Sequence, residues 1–171
     1  MKISNHDILK KFKQSQHLWV VRAGEKGSAD DYFIKMNIIV LKKQGFEDLS
    51  QIEPTRQSFY QVYRSKNLDA SRTAIAGIGG KFFRFIHEMK TGEFVLYPSL
   101  KNRMVYCGEI MGEYKYDRRH KEFPHQREIR WIASVPKKNL SKKAQHELGA
   151  ARTLYKYKNN IKEIIENIIN T

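Results

Sequence analysis

The stretch Thr91–Pro136, TGEFVLYPSLKNRMVYCGEIMGEYKYDRRHKEFPHQREIRWIASVP, decides the fold of this chain. Its segments Glu93–Tyr97, Arg103–Met111 and Arg127–Val135 are rich in valine, isoleucine, tyrosine and tryptophan, which favour β-strands. Turn-forming residues separate the three segments. The pattern therefore predicts a β-meander.

Between the second and third predicted strands, aromatic residues alternate with cations in the segment 114–120, YKYDRRH, which follows Gly112. Stacking on nucleobases needs aromatic rings, and contact with phosphates needs cations. A turn on a rigid sheet would present both together. The alternative is a meander whose tyrosines cap a core and whose charges face water.

Composition narrows the class of partner. The chain has 171 residues, 40% of them hydrophobic, enough for one domain with its own core. It carries 32 Lys and Arg against 18 Asp and Glu, a formal net charge of +14. A domain this basic most often binds a polyanion, and nucleic acid is the commonest one.

The chain shows no membrane signal. No apolar run approaches the length of a bilayer span, and no basic helix with bulky apolar residues suggests binding to a membrane surface. The opening segment MKISNHDILKKFKQ lacks the apolar core of a signal peptide. We therefore expect a cytoplasmic protein that does not contact membranes.

Cysteine and histidine do not form a recognisable metal site. The single cysteine, Cys107, excludes an internal disulfide and argues against a thiolate zinc site. It lies in a predicted strand, where we expect a small buried residue. His120 and His125 have loose metal-ligand spacing but no third ligand, so we expect neither a metal nor another cofactor.

Helices and strands alternate around the central stretch, without repeats or a linker. The predicted helices are Ile8–Gln14, Thr55–Arg64, Ala70–Met89, Ser141–Leu148 and Ile161–Ile169. The other predicted strands are His17–Arg22, Ile38–Leu41 and Thr153–Tyr157. This mixture predicts an α+β domain whose strongly curved, barrel-like mixed sheet is flanked by helices.

Three local features of the sequence lead to further structural predictions. Asn5 or Asp7 is the expected cap of the first helix. The near-continuous apolar run Ile38–Leu41 suggests a central strand. The segment Gly77–Lys81, GIGGK, lacks the spacing and the Ser or Thr of a nucleotide-binding loop, and it indicates close packing of a helix against the sheet.

Five segments taken in order resemble a known family. They are WVVRAG (19–24), TGEFV (91–95), GEIMGEYKY (108–116), HQREIRWIASVPKKNL (125–140) and ELGAARTLYKY (147–157). Together they resemble the N-terminal specificity domain of Mrr-type and related modification-dependent restriction endonucleases. The resemblance covers most of the chain, from Leu18 to Tyr157.

Such domains are similar to the EVE and YTH readers of the PUA superfamily, in which a small curved β-barrel carries an aromatic cage for a modified base. The resemblance implies a DNA-binding specificity module of a restriction and phage-defence system. It would recognise a methylated base in double-stranded DNA by flipping that base out of the duplex. A nuclease or motor would be a separate domain or subunit, so we expect no catalytic residues here.

The resemblance also divides the chain and shows two departures. A reader domain would occupy residues 1–157, and the amphipathic helix in 158–171 would link to an effector domain or form a homodimer contact.

Gly92–Glu93 stands where the family has Gly-Asp, and Leu41–Lys42 stands where readers of this kind have Gly-Trp. One wall of the cage would then be absent or supplied from elsewhere.

The candidate base-pocket residues are Trp19, Arg22, Asn37, Tyr97, Tyr114 and Tyr116. Each has a structural alternative: Trp19 as a core residue, Arg22 as a partner of Asp30 or Asp31, and Asn37 as a turn former. Tyr97 would otherwise close the sheet, and the other two tyrosines, which share strand parity, would pack against Trp131. Trp19 and Arg22 have opposite parity, so they share a site only if the strand ends or bulges near Arg22.

The candidate phosphate-binding residues are Lys115, Arg118, Arg119, Lys121, His125 and Arg127. Their alternative is a solvated run of charge, and His125 is also a candidate pH sensor.

Two other functions remain open. One is an RNA-binding PUA-like module. The other is a small Mg²⁺-dependent nuclease built on Glu93, Glu109, Glu113 and Lys115, since Glu113–Lys115 fits the E-x-K half of the nuclease pattern.

Overall fold

The predicted meander lies in the middle of a seven-stranded mixed sheet in the computed structural model, which describes residues 4–171. The strands are β1 Leu18–Val21, β2 Ile38–Leu41, β3 Phe94–Pro98, β4 Met104–Ile110, β5 Lys115–Tyr116, β6 His125–Pro136 and β7 Leu154–Tyr157. Their order is β2-β6-β4-β3-β1-β7, with β5 paired to β6. Strands β1 and β3 are parallel, and the other pairs are antiparallel.

Within the described residues, six helices flank the sheet. They are α1 Asn5–Gln14, α2 Asp30–Ile34, α3 Arg56–Lys66, α4 Arg72–Phe83, α5 Lys142–Leu148 and α6 Ile161–Ile169. Helix α4 continues into a π-helical turn, Arg84–Glu88. Short 3-10 turns occupy Glu25–Gly27, Leu49–Gln51 and Lys137–Asn139.

Helix starts follow the expected capping chemistry, with one correction. Thr55, Ser71 and Ser141 each accept a hydrogen bond from a backbone N–H of the first turn of their helix. At α1 the cap is Ser4, which accepts from the N–H of Asp7, so the predicted caps Asn5 and Asp7 were wrong. Residues 1–3, part of the segment considered as a signal peptide, lie outside the described residues.

Strand β6 curls the sheet. It has 12 residues, and it pairs with β2 and β5 through its first part and with β4 through the remainder. The pairing with β4 shifts register between Cys107 and Gly108, which is a β-bulge that bends the strand. The prediction of an α+β domain with a curled mixed sheet between helices is confirmed at this level.

Strand β2 does not lie at the centre of the sheet. It pairs only with β6 among the described strands, so the prediction of a central strand was wrong. Ile39 and Leu41 belong to the same buried cluster as Phe33 of α2 and Phe82 of α4. Its apolar run therefore reflects cover by helices rather than strands on both sides.

Side-chain alternation along the sheet creates two cores. Trp19 and Tyr97 lie in a cluster that includes residues of α2, α3 and α4. Leu18 lies on the other side, in a cluster that includes residues of α1, α5 and α6. Ile164 and Ile168 of α6 are buried in that second cluster, so α6 is an integral part of the domain instead of a separate C-terminal segment.

The glycines of α4 allow two helices to approach closely. A Cβ atom on Gly79 would lie 2.8 Å from the Tyr60 ring and 3.2 Å from the Phe59 carbonyl oxygen. The close packing predicted for this segment is therefore against α3, and the expectation of packing against the sheet was wrong. Over residues 4–171, no helix has both the length and the apolar character needed to cross a bilayer.

Candidate functional site

A cleft of about 500 Å³ opens where the parallel strands β1 and β3 end. Its walls include the loop after β1 (22–28), the end of β2 (40–42), the β3–β4 turn (97–100) and the segment before β7 (151–153). Carboxyl ends of parallel strands are a common location for ligand sites, because the chain leaves the sheet there and opens a crevice. The cleft is therefore the first candidate for a functional site.

The loop after β1 has an unusual backbone that lines the cleft. Gly24, Lys26 and Gly27 all have positive φ, at +69°, +51° and +77°. A Cβ atom on Gly24 would lie 2.4 Å from the Ser28 hydroxyl oxygen, so only glycine fits there without a shift. The N–H of Arg22 donates to the Thr153 carbonyl at 2.9 Å, which fastens the start of the loop to the opposite wall.

The cleft is strongly cationic. Its lining contains one carboxylate, Glu25, and six cations: Arg22, Lys26, Lys42, Lys81, Lys137 and Arg152. Lys42 pairs with Glu122 at 3.3 Å. Within residues 4–171, the other five cations have no carboxylate within 4.0 Å. Such an excess of uncompensated charge in a concave site attracts anions.

Lys81 of α4 is the most buried of these cations. It is only 8% exposed, and its ammonium group donates to the side-chain carbonyl of Gln44 and lies 4.8 Å from the centre of the Phe82 ring. Burial, together with the nearby charge of Arg84, lowers the pKa of Lys81 to about 8. A buried ammonium group with a neutral acceptor is unfavourable unless an anion joins it.

Arg22 and Tyr97 are the predicted pocket residues that line the cleft. Arg22 is half-buried, and its Nε is buried without a hydrogen-bond partner among the described residues. It does not pair with Asp30, which instead accepts from the Tyr97 hydroxyl at 2.5 Å and from the Ser99 hydroxyl at 3.1 Å. Burial and the bond to Asp30 raise the pKa of Tyr97, so its hydroxyl stays protonated.

Trp19 lies in the interior and not on the cleft wall. It is fully buried, and its Nε1–H donates to a Glu93 carboxylate oxygen at 2.7 Å. Glu93 also accepts from the N–H of Lys90 at 2.9 Å and contacts His17 Nδ1 at 2.8 Å. In this structure Trp19 has its structural alternative role, and the motif Gly92–Glu93 supplies the acceptor that anchors it.

The remaining three predicted pocket residues lie away from the cleft lining. Asn37 is exposed and has a left-handed φ of +56° before β2, which is turn chemistry. The Tyr114 hydroxyl accepts from the N–H of Leu49 at 3.1 Å, and the Tyr116 hydroxyl donates to Glu47 at 2.6 Å. The structure therefore does not bring the six residues together, and the predicted aromatic cage is not formed.

Aromatic contacts also differ from those expected within the meander. Tyr97 is the one aromatic residue among the described residues lining the cleft, and it is only 1% exposed. Trp131 packs beside Tyr97 and Tyr106, and its Nε1–H donates to the Phe33 carbonyl at 2.7 Å. The expected packing of Tyr114 and Tyr116 against Trp131 was wrong, because both rings lie against His125 instead.

Two predicted phosphate ligands are structural. Arg127 is fully buried and donates to the carbonyls of Phe85 (3.1 Å), Met89 (2.6 Å) and Gly112 (3.0 and 3.2 Å). His125 is also fully buried, and burial lowers its pKa to about 4, so it is neutral at pH 7. These two assignments were wrong because the two-residue period of β6 directs both side chains into the core.

The other four predicted phosphate ligands are exposed, but one of them is paired. Arg119 donates to both carboxylate oxygens of Asp117, at 2.9 and 2.7 Å, and this pairing lowers the pKa of Asp117. Lys115, Arg118 and Lys121 are exposed, without a carboxylate within 4.0 Å in the described chain. We call these three the hairpin cations.

Two of the hairpin cations, Arg118 and Lys121, lie near Glu122, which contacts the wall of the cleft. The N–H of Lys43 donates to the Glu122 carbonyl at 2.9 Å, and Lys42 on the cleft wall pairs with the Glu122 side chain. A second surface depression, lined in part by Lys43, Arg118 and Lys121, lies on this segment. The free charges therefore extend from the cleft onto the adjoining surface.

A protein family matches the part of the chain that contains the cleft. A family model described as a domain of unknown function, DUF8426, matches residues 19–158. The chain belongs to the DUF8426 family. The match contains every wall segment of the cleft and all the hairpin cations of this DUF8426 domain. No curated protein matches the sequence.

Several cleft cations of the DUF8426 domain are not apparent from the sequence. Arg152 lies in the segment ELGAARTLYKY, whose pattern gives it no role, and Lys81 ends the segment GIGGK, whose pattern indicates packing. Lys42 stands out only as a departure from the expected Gly-Trp. These lysines and arginines are distant in sequence, and no spacing rule brings them together.

The carboxylates considered for a nuclease are engaged elsewhere. Glu109 accepts from Lys11 at 2.7 Å and from Arg130 at 2.5 Å, while Glu93 anchors Trp19. Glu113 is exposed and accepts from the Thr91 hydroxyl at 3.0 Å. In residues 4–171, no three His, Cys, Asp or Glu side chains are grouped so that they could hold a metal ion.

Proposed function

We propose that this DUF8426 domain is a nucleic-acid recognition module that accepts a single extruded nucleotide in the cleft. The observation that carries the proposal is the charge of the cleft. Five cations without a carboxylate partner in the described chain surround a space of about 500 Å³. The hairpin cations Arg118 and Lys121, on a neighbouring surface, would hold the adjacent sugar-phosphate backbone.

Size and access favour a ligand of nucleotide dimensions. Pockets for small molecules and cofactors commonly measure about 300–1,000 Å³. The cleft falls within this range, and it contains neutral polar groups such as Gln44, Ser99 and Thr153 beside apolar ones such as Leu41 and Leu148. Extruding a base from a duplex requires a few kcal/mol, about the strength of one or two hydrogen bonds to charged groups.

The finer form of the proposal is a PUA-like, EVE-like reader of methylated DNA in a restriction system. Its support is that three of the five resembling segments contribute to the cleft, through Arg22, Lys137 and Arg152. Among the described residues, the cleft has no exposed aromatic wall. A methyl group would therefore be recognised mainly by burial against apolar side chains. Burial of one such carbon contributes about 0.8 kcal/mol, so we expect about fourfold discrimination.

A binding titration tests the function directly. The full chain is titrated with fluorescent probes of one sequence: an unmodified duplex, the same duplex with 5-methylcytosine or N6-methyladenine, single-stranded DNA and RNA. We expect the modified duplex to bind a few-fold more tightly than the unmodified one. Tighter binding of RNA with indifference to methylation would favour an RNA-binding module, and absence of binding to all probes would overturn the proposal.

Charge-matched variants separate the cleft from the overall charge of +14. Arg22→Ala with Arg152→Ala removes two cleft cations, and Lys13→Ala with Lys162→Ala removes two exposed cations from α1 and α6. The first pair should weaken duplex binding by about 10- to 100-fold, because hydrogen bonds to charged groups are removed. The second pair should change it by less than about threefold. Equal losses of affinity would indicate non-specific attraction only.

A further inference from the structure

We propose that the inner wall of the cleft is a phosphate subsite, with Lys81 as its principal ligand and Arg22 and Arg152 beside it. The ligand class is a nucleoside 5′-monophosphate or the equivalent phosphate of an extruded nucleotide. This assignment rests in part on the proposed function, because it specifies what the same cleft holds. It states that the phosphate, rather than the base, provides most of the affinity inside the cleft.

Lys81 is buried without an anion beside it in the described residues. The side chain is more than nine-tenths buried, lines the cleft, and has only the amide of Gln44 as a hydrogen-bond acceptor among the described residues. An ammonium group has three donors, so two remain for a ligand. Lysine binds phosphate well as a compact point charge.

Further cations lie near Lys81. Arg84 is half-buried. Burial lowers its pKa, and the charges of Arg56 and Arg152 lower it further, against the opposing charge of Glu88. Its Nε is buried without a hydrogen-bond partner in the described residues, as is the Nε of Arg22. Cations that repel one another and retain unused donors are stabilised together by one multiply charged anion.

Lys81 differs from Lys66, a lysine that has a structural role on the same turn. Lys66 of α3 donates to the Gly45 carbonyl at 2.7 Å, so it holds the same turn that Lys81 holds through Gln44. Lys66 is exposed and does not line the cleft, whereas Lys81 is buried and does. Holding the turn therefore does not require a buried charge, and the position of Lys81 is better explained by a ligand.

Calorimetric titration of the full chain tests the subsite with three probes: inorganic phosphate, a nucleoside 5′-monophosphate and the parent nucleoside. We expect millimolar or tighter binding of both phosphates and weaker binding of the nucleoside. Lys81→Met should reduce monophosphate affinity by about 10- to 100-fold and leave nucleoside affinity unchanged. The control Lys66→Met should leave both affinities unchanged.

Two further measurements distinguish a ligand-binding role of Lys81 from a structural one. Without ligand, Lys81→Met should unfold at a higher temperature than the parent chain, which a purely structural lysine would not do. If Lys81→Met does not fold, Arg152→Ala replaces it in the test, because Arg152 is exposed. Arg152→Ala should reduce the affinity for the monophosphate a few-fold and leave the affinity for the nucleoside unchanged. Equal affinity for nucleoside and monophosphate, or no binding of any phosphate at millimolar concentration, would overturn the subsite.

These outcomes are separable from those of the proposed function. If the subsite fails but Arg22→Ala with Arg152→Ala still weakens duplex binding as expected, the cleft binds nucleic acid without a buried phosphate. If the monophosphate binds through Lys81 but no nucleic acid binds, the domain is a receptor for free nucleotides. The phosphate subsite would then stand, and the nucleic-acid module would not.

Discussion

The two basic regions of this domain, the hairpin with β6 and the cleft, use their cations in different ways. In the first region the cations lie within 13 residues of sequence (115–127), yet Arg127 and His125 are buried in the core and Arg119 is paired with Asp117. In the cleft the charges come from distant segments, and five of the six have no carboxylate partner in the described chain. Density of charge along a sequence therefore does not measure the charge that a ligand can reach.

Arg127 and Lys81 make the comparison sharpest, since both are buried cations. Arg127 distributes four hydrogen bonds over three backbone carbonyls, two of them at the π-helical end of α4, where unpaired carbonyls carry partial negative charge. Lys81 has one neutral acceptor. The first cation is satisfied by the fold, and the second is not.

The largest effect is expected for Arg127→Met. The substitution leaves the carbonyls of Phe85, Met89 and Gly112 without their buried donor, so the free energy of unfolding should fall by about 3–5 kcal/mol. Urea denaturation followed by circular dichroism measures the change. A decrease below about 1 kcal/mol would show that the guanidinium group is not required by the fold.

Lys81→Met should act in the opposite direction. Its pKa falls from 10.5 to about 8 on folding, and one pKa unit corresponds to about 1.4 kcal/mol, so the gain in the free energy of unfolding at pH 7 is at most about 3 kcal/mol. The same denaturation experiment, without phosphate in the buffer, measures it. A decrease in stability would assign Lys81 to structure and remove the contrast with Arg127.

The pH dependence of that difference provides a finer test. The pKa of Lys81 is lower in the folded chain than in the unfolded chain, so between about pH 8 and 10.5 the unfolded chain binds more protons. The penalty of Lys81 is complete below pH 8 and disappears as the pH rises towards 10.5. The stability advantage of Lys81→Met over the parent chain should therefore shrink over this interval.

Taking the difference between the two chains isolates Lys81 from the groups around it. The charged and titratable groups that face it or share its surroundings are Arg22, Lys42, Arg84, His125 and Arg152. These groups are present in both chains, so their own titration largely cancels. A constant difference from pH 7 to 10.5 would show that Lys81 titrates normally.

The smallest effect concerns the hairpin. Arg118→Ala with Lys121→Ala should reduce the salt dependence of duplex binding by about 0.9 in log–log slope for each phosphate group that is no longer bound, about 1.8 in total. Arg119→Ala should change the slope less, because its guanidinium group is already paired with Asp117. Binding titrations at several salt concentrations give the slopes. A larger change for Arg119→Ala would reverse this assignment of free and paired charge.

Local patterns predicted the elements well. The amphipathic run Ile161–Ile169 forms α6 with those bounds, and the three segments of the meander became β3, β4 and β6 within two residues at each end. Predictions about neighbours were less successful. The apolar run of β2 did not reveal an edge strand covered by helices, because burial on both faces has the same sequence signature in either case.

The candidate site depended still more on distant contacts. The sequence leaves Trp19 open between a pocket wall and a core residue, and only the position of Glu93 beside its indole N–H decides between them. Lys81 carries no signal of its own, since a lysine after glycines in a helix is ordinary in sequence. Its significance comes from burial beside the loop 22–28 and the segment 151–153.

The sequence by itself determined five of the six helices in the described residues, most of the strands, the curled α+β architecture and the net charge of +14, because hydrophobic periodicity and composition act over short chain distances. The short helix α2 was not predicted. Only the tertiary structure decided which cations are buried, which are paired and which remain free around one cleft. Pairing depends on separations of a few ångströms between residues far apart in the chain. These separations are set only when the sheet folds.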